Sequence, residues 1–435
     1  MSITLNADQT KALAEILAAY DRGSRHLLTG YAGSGKTTLM QALAREVQKR
    51  HKTIVLSAPT HKAVSVLAAK LRHAGIENVP CVTIHSLLSL KAEAHGDRLV
   101  FERGRHAEPV TAQWVVVDEC SMLSADLLKH IKRHLPMAFT VLVGDPAQLP
   151  PVGEKASGAF ETKSRSHLHT IVRQGAGNPI LAAAQVIRES QGGPADWSWV
   201  ASAKAAPLGV FLPANADGWM KKGFTSPEFD RDPDSFRYLA WTNARVSEVN
   251  AKVRRWRYGD NLPTPFMPDE CALIRAPIIK DGVTVFTTNE EARVVRIDRD
   301  QFRYVIDACE GGDEWIAELP SWRVMLRKDD GTEIPVHMPA DDRAYNNVID
   351  RIKDEASEAR FRWKQMHQFK SSMARLQSIY SMTVHNSQGS TFKNAFVDLP
   401  DIRRRVDSNL LEAQQMLYVA ATRPSQALVL VGAGE

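Results

Sequence analysis

Apolar residues recur along the first half of the chain in two alternating rhythms. Residues 6–20 (NADQTKALAEILAAY) space them for one face of an opening amphipathic helix. Short aliphatic and β-branched runs follow at His26–Thr29, Thr53–Ser57, Trp114–Val117 and Phe139–Val143, each succeeded by a turn and a helical pattern. Strands apolar on both faces, alternating with helices, predict βαβ units and a parallel sheet covered on both sides. One segment breaks this rhythm: Gly96–Gly104 (GDRLVFERG) is short, glycine-bounded and predicts a β-hairpin.

Downstream, Gln191–Asp234 lacks periodicity and is rich in Gly, Pro and Asp, so it contains loops. A strand pattern returns at Phe236–Trp241. Over residues 271–338, short runs such as Arg293–Ile297, Phe302–Ile306 and Trp322–Leu326 predict a small all-β insertion. Residues 340–375 are helical and charged. The plain reading is a solvated helix, but Arg360, Arg362, Trp363, Lys364, Lys370 and Arg375 leave room for contact with DNA. Strands then resume near Ile379–Val384, Ala395–Asp398 and Ala427–Val431, giving an α/β chain interrupted by a β insertion.

Composition narrows the class only a little. With 435 residues, two or three domains are expected. The net charge of +5 suits a nucleic-acid partner without demanding one. No apolar run reaches membrane-spanning length, and the first residues lack a secretory pattern. Cys81, Cys120, Cys271 and Cys309 lie far apart, with no metal-ligand spacing; a disulfide framework is not expected and a reducing cytosol is.

The chemistry is more specific. Residues 30–37 (GYAGSGKT) fit G-x-x-x-x-G-K-[ST] in full, after a predicted strand and before a helix. In that context backbone N–H groups of Gly33, Ser34, Gly35, Thr37 and Thr38 wrap phosphates, Lys36 reaches the β- and γ-phosphates and the Thr37 hydroxyl holds Mg²⁺. The apolar run Val115–Val117 delivers Asp118 for Mg²⁺ and Glu119 to orient or deprotonate a water. An acidic pair at a strand end is weak alone and strong behind a P-loop. Gln148 in GDPAQLPP can position water or report phosphate loss, although a Pro-rich turn would look the same. Arg173 and Arg423 are candidates for the positive charge that phosphoryl transfer needs.

Read in order, LNADQTKAL, the P-loop, APTHKA, TIHSLL, VVVDECSM, GDPAQLPPVG, IVRQ, AWTNARVSEVN, MTVHNSQGSTF and LYVAATRP resemble the motifs of superfamily 1 DNA helicases of the 5′-to-3′, RecD-like branch. Size, spacing and the late β insertion look most like its Dda-like phage members. The blocks run from residue 5 to residue 424, so the resemblance covers nearly the whole chain.

It implies two RecA-like parallel-sheet domains: residues 1–82 with 108–175, which bind ATP, and 176–265 with 376–435. It further implies a hairpin pin at 83–107 and an SH3-like β domain with a helical tower at 266–375. By the same resemblance Gln9 contacts adenine, and Arg173 and Arg423 reach the γ-phosphate from the second domain. Single-stranded DNA is implied to run over Thr60, His61, Lys62, Thr83 and His85 of the first domain, and Thr242, Asn243, Thr383, His385, Ser387 and Gln388 of the second. Such donors grip phosphates without reading sequence. From residue type alone, His61 and His85 read more readily as loop residues or neighbours of helix caps. Phe101 stacks on a base in the implied pin, or packs the hairpin.

The expected activity is an ATP- and Mg²⁺-dependent helicase moving 5′ to 3′ on single strands and unwinding forked duplexes. The expected setting is the cytoplasm of a bacterial or phage-infected cell, as a monomer, with a single-strand binding protein as a partner. The alternatives are a DNA-stimulated ATPase that displaces proteins or a partner-dependent RecD-like subunit, an RNA substrate, and a clamp without turnover. The complete set of ATP-site residues argues against the last.

Overall fold

The computed structural model describes residues 3–23, 25–104, 106–170, 178–190, 204–205 and 208–432. The chain divides into two compact units, one of Met1–Ser89, His106–Arg257 and Tyr380–Glu435, the other of Leu90–Arg105 and Tyr258–Ile379.

The first unit holds two six-stranded sheets. One runs Cys81–Thr83, Ile54–Ala58, Trp114–Val117, Phe139–Gly144, Arg25–Gly30, Arg165–Leu168 in spatial order, all parallel. Its strands are apolar on both faces because helices cover both. Leu28, Leu56, Val116, Val141 and Val143 share one core with Ile16, Leu43 and Leu67 from those helices. The opening helix, Ala7–Tyr20, is fixed at both ends. A capping box joins Asn6 and Gln9, and the Tyr20 ring stacks on Trp114 with centroids 4.7 Å apart. The strands Cys81–Thr83 and Arg165–Leu168 are not evident in the sequence. Both lie at sheet edges, where three or four residues suffice and no long apolar run is needed.

The second sheet runs Ser381–Thr383, Phe236–Ala240, Phe392–Asp398, Pro424–Val431, Leu208–Phe211, Lys204–Ala205, parallel except for the last pair. Its core gathers Leu239, Val397 and Leu428 with Ile180, Met416 and Leu417 of the helices Pro179–Glu189 and Leu410–Ala421. Ala147 and Leu149 of GDPAQLPP sit in that same core, so the first sheet's loop is wedged into the second domain.

The other unit is built on a five-stranded antiparallel sheet ordered Glu333–Pro339, Trp315–Arg327, Glu291–Ile306, Cys271–Ile274, Leu376–Ser378. The runs expected at Arg293–Ile297 and Phe302–Ile306 are one 16-residue strand. The polar stretch between them pairs without interruption along Trp315–Arg327, and Arg299 lies over the Trp322 ring at 4.4 Å.

Residues 340–375 form two helices, Asp342–Glu355 and Arg362–Ser372, instead of one solvated helix. Tyr345, Ile349, Ile352, Met366 and Phe369 bury an apolar face against Ile306, Ala317 and Leu319. Arg362 is fully buried, donates to the Asp307 carbonyl at 2.8 Å and pairs with Glu355 at 2.8 Å. It is therefore a structural clamp and offers nothing to DNA.

The hairpin also needs correction. Its strands are Leu90–His95 and Arg98–Arg103, with Gly96 in the turn at φ +66°. Gly96–Gly104 thus covers only the second strand. The first, LKAEAH, has no β-branched residue to announce it. His367 of the helix Arg362–Ser372 touches the Gly96 carbonyl at 3.4 Å.

Boundaries shift for similar reasons. Cys81–Thr83 pairs in the first sheet and Ile84 is buried, so residues 83–89 stay with the first unit. Leu376–Ser378 pairs with Cys271–Ile274 and so belongs to the β insertion. None of the four cysteines is in a disulfide. No described helix is long and apolar enough to cross a membrane.

Candidate active site

The strand Arg25–Gly30 ends at the P-loop, and the helix Lys36–Lys49 begins as the loop closes. Glycine is required at three places. A Cβ on Gly30 would lie 2.6 Å from Ser34 Oγ, and Gly33 and Gly35 hold φ at +82° and +79°. No side chain caps the helix N-terminus, so its backbone N–H groups and dipole face the loop's concavity. Lys36 Nζ donates to the carbonyls of Gly30 and Tyr31 at 2.8 and 3.0 Å, which holds the ammonium inside the loop.

Asp118 follows the buried strand Trp114–Val117. Its carboxylate accepts the Glu119 N–H at 2.9 Å, and Glu119 sits at φ +53° in left-handed backbone. Non-glycine residues hold that conformation only where the surroundings enforce it, commonly at functional sites. Desolvation, and then the charge of Glu119, push the Asp118 carboxyl up to about 7 against the pull of Lys36 and Lys70. Two adjacent carboxylates short of countercharge suit a divalent cation. Thr37 and Asp118 line the same cleft, as a Mg²⁺ site with few protein ligands requires. Among the described residues no group of three His, Cys, Asp or Glu forms a fuller metal cage.

Gln148 and Arg423 complete the cleft, each 6 % exposed. Gln148 donates its N–H to the Asp145 carbonyl at 3.1 Å. Arg423 follows the helix Leu410–Ala421, and its guanidinium donates to the carbonyls of Val419 at 3.0 Å and Ser390 at 3.1 Å. The cleft measures about 490 Å³. Gly33, Gly35, Lys36, Thr37, Thr38, Asp118, Glu119 and Gln148 line it from the first sheet, and Gly389, Ser390, Thr391, Thr422 and Arg423 from the second. Gly389, at φ +76°, lets the domains meet, since a Cβ there would stand 3.1 Å from that of Ala63. Arg173 lies outside the described residues.

Some expected residues serve the site from behind. Gln9 is buried; its side-chain oxygen accepts the Asn6 N–H, and its amide donates to the Ser34 and Gly35 carbonyls at 3.3 and 3.4 Å. It thus braces the P-loop. Ser34 is fully buried and contributes backbone only. Lys70, which no motif signals, lines the cleft with Nζ 3.5 Å from Thr37 Oγ1.

The candidate DNA contacts divide between exposed donors and buried braces. His61 and Asn243 are exposed. Thr60 and Thr83 cap the helices His61–His73 and Ile84–Leu87. Lys62 pairs with Asp234 of the second domain at 2.9 Å. His85 and His385 are partly buried, and burial lowers the proton affinity of both. The Thr242 hydroxyl donates to Asp401 at 3.1 Å. Thr383 is buried and accepts the Asn386 N–H. Ser387 is fully buried, donates to the Val384 carbonyl at 2.7 Å and presents no surface to a strand. Gln388 is 4 % exposed and donates to the Leu149 carbonyl at 3.2 Å. Both shape the turn that carries Gly389 and Ser390. In the other unit, Phe101 is 45 % exposed and paired across from Ala92.

Two parallel sheets that share one phosphate-binding cleft define a two-domain P-loop ATPase. Comparison with known proteins makes the class specific. Residues 4–203 match the AAA domain family and residues 378–431 the UvrD-like helicase C-terminal domain. The chain is 23 % identical to the ATP-dependent DNA helicase dda of Enterobacteria phage T4 over 468 residues, 96 % of this chain and 97 % of that one. It is 32 % identical over 161 residues to the ATP-dependent RecD2 DNA helicase of Deinococcus radiodurans, covering 36 % of this chain and 21 % of the relative. Its fold matches Bacteroides Pif1 bound to ssDNA with a TM-score of 0.52 at 17 % identity, over 98 % of this chain and 92 % of that one. These matches place the chain with superfamily 1 helicases of the Dda and RecD type, and the fold it shares with Pif1 makes its two parallel sheets RecA-like domains.

Proposed function

We propose that this chain is an ATP-driven motor that moves 5′ to 3′ along single-stranded DNA and separates duplex strands. The observation that carries the reading is the cleft. The P-loop, Asp118 and Gln148 of one domain face Arg423 of the other, so a nucleotide held there touches both domains. Lys36 and the P-loop amides hold the β- and γ-phosphates, Glu119 and Gln148 orient water, and Arg423 meets charge developing on the transferred phosphoryl group. Thr37 and Asp118 would hold Mg²⁺, which would supply further neutralisation of phosphate charge. Arg173 is the second arginine of this set. Closing and reopening the cleft once per ATP moves one domain against the other.

The DNA path is assigned to the exposed donors His61 and Asn243, together with the half-buried His385 and Asn386. The strand-separating wedge is assigned to the hairpin Leu90–Arg103, where an exposed aromatic can substitute for base stacking. One chain supplies both halves of the cleft, which supports a monomeric motor. A single-strand binding protein would hold the parted strand, and four cysteines outside any disulfide suit a reducing cytoplasm.

The test is unwinding of a forked duplex bearing either a 5′ or a 3′ single-stranded tail, with ATP turnover followed in parallel. Unwinding from the 5′ tail alone is expected. Unwinding from the 3′ tail would overturn the polarity. Turnover stimulated by DNA without unwinding would replace the helicase reading with protein displacement or a partner-dependent subunit.

A further inference from the structure

Asp145 begins the GDPAQLPP loop after Gly144 and is fully buried. A buried carboxylate is costly unless its oxygens are matched by donors. Here Oδ1 accepts from the Ala147 N–H at 3.1 Å and from the Arg188 guanidinium at 2.8 Å. Oδ2 accepts from the Tyr418 hydroxyl at 2.6 Å. Ala147 belongs to the same loop, but Arg188 and Tyr418 stand on the helices Pro179–Glu189 and Leu410–Ala421, whose apolar faces build the second domain's core.

The same two side chains also reach the P-loop. The Tyr418 hydroxyl accepts the Ala32 N–H at 3.2 Å, and the Arg188 guanidinium lies over the Tyr31 ring, 3.9 Å from its centroid. The result is a closed ring: Ala32 to Tyr418 to Asp145 to Arg188 to Tyr31. Burial beside Asp145 pushes the Tyr418 hydroxyl far above its ordinary proton affinity, so it stays protonated and keeps donating. Neither Arg188 nor Tyr418 lines the phosphate cleft. Asp145 nevertheless fixes Gln148, whose N–H bonds to the Asp145 carbonyl.

We propose that Arg188 and Tyr418 are positioning residues for ATP hydrolysis: a clasp by which the second domain holds both the opening turn of the P-loop and the loop that presents Gln148. The proposal rests on the reading of this chain as an ATP-driven motor. Any shift of the second domain is then transmitted to phosphate-binding backbone and to Gln148 through short, charge-assisted contacts instead of through the nucleotide alone.

Tyr418→Phe removes one hydroxyl and keeps the ring's packing. The single-strand-stimulated kcat should fall about ten- to hundredfold, as expected for an angstrom-scale misplacement. The KM for ATP should stay within about threefold, because the amides that bind phosphate remain. Arg188→Lys preserves charge against Asp145 but loses the planar stack on Tyr31, so its turnover should lie between wild type and Arg188→Ala.

Hydrogen exchange of the peptide carrying Ala32 reads the clasp without turnover. It should quicken in Tyr418→Phe at a temperature where the variant is still folded, and by more than any uniform rise across peptides that the lost hydrogen bond to buried Asp145 causes through lower overall stability. Wild-type kcat in Tyr418→Phe, unchanged exchange at Ala32, or a kcat loss that only follows lost folded protein would each overturn the clasp. Absence of single-strand-stimulated turnover in the unaltered protein would overturn the motor reading instead, and exchange at Ala32 would still decide the clasp.

Discussion

Lys36 was legible in the sequence because its role depends on neighbours a few residues away. A glycine-rich turn between a strand and a helix leaves little else for the lysine to do. Lys36→Ala should lower ATP turnover by about 10²–10³-fold, the loss of one preorganised charge, while single-strand affinity stays close to wild type. Normal steady-state turnover would remove the P-loop from the mechanism. Gln9, Ser387 and Gln388 show the limit of such reading. Their amides and hydroxyls suit a ligand, but burial turns them inward onto carbonyls of Ser34, Val384 and Leu149. Burial also sets a pH response. It holds His26, His85 and His385 below their ordinary 6.5, burial being the largest cause for each. The unfolded chain therefore binds more protons than the folded one once pH drops under that value. Their contribution to stability is complete above 6.5 and is lost as pH falls through the depressed values. Melting temperature should decline between about pH 7.5 and about pH 5, with a shallower slope in His26→Gln. A flat profile in wild type would contradict this.

Among elements, the strands entering the two active-site loops were the plainest, since Trp114–Val117 and Phe139–Gly144 are apolar on both faces. The hairpin was half visible. Its second strand carries Val100 and Phe101, whereas the first alternates alanine with charge and takes its conformation from its partner. Phe101→Ala should slow forked-duplex unwinding severalfold while single-strand translocation changes by less than about twofold, because only strand separation uses a stacking ring. Equal losses in both assays would assign Phe101 to packing of the hairpin. The helices at Asp342–Glu355 and Arg362–Ser372 were the least legible. Their charge pattern reads as solvated, yet Arg362 is buried by carbonyls of residues 307 and 313, some fifty positions away.

For the whole molecule, a net charge of +5 is a weak pointer, but a motor that grips phosphates releases counterions on binding. Affinity for single strands should fall with salt, with a log–log slope of about −0.7 per phosphate contacted. A flat response would count against the proposed path. The ATP chemistry, the α/β alternation and the interruption by a β insertion follow from the amino-acid order, because each is written in short-range pattern or contiguous motif. The tertiary structure alone decided what crosses the domains. It set Arg423 opposite Lys36 across one cleft, brought Lys70 beside Thr37, and closed a ring through Ala32, Tyr418, Asp145, Arg188 and Tyr31. Those partners stand tens to hundreds of residues apart, and no local periodicity encodes which buried charge will find which donor; only the packing of one sheet's loops into the other's core settles it.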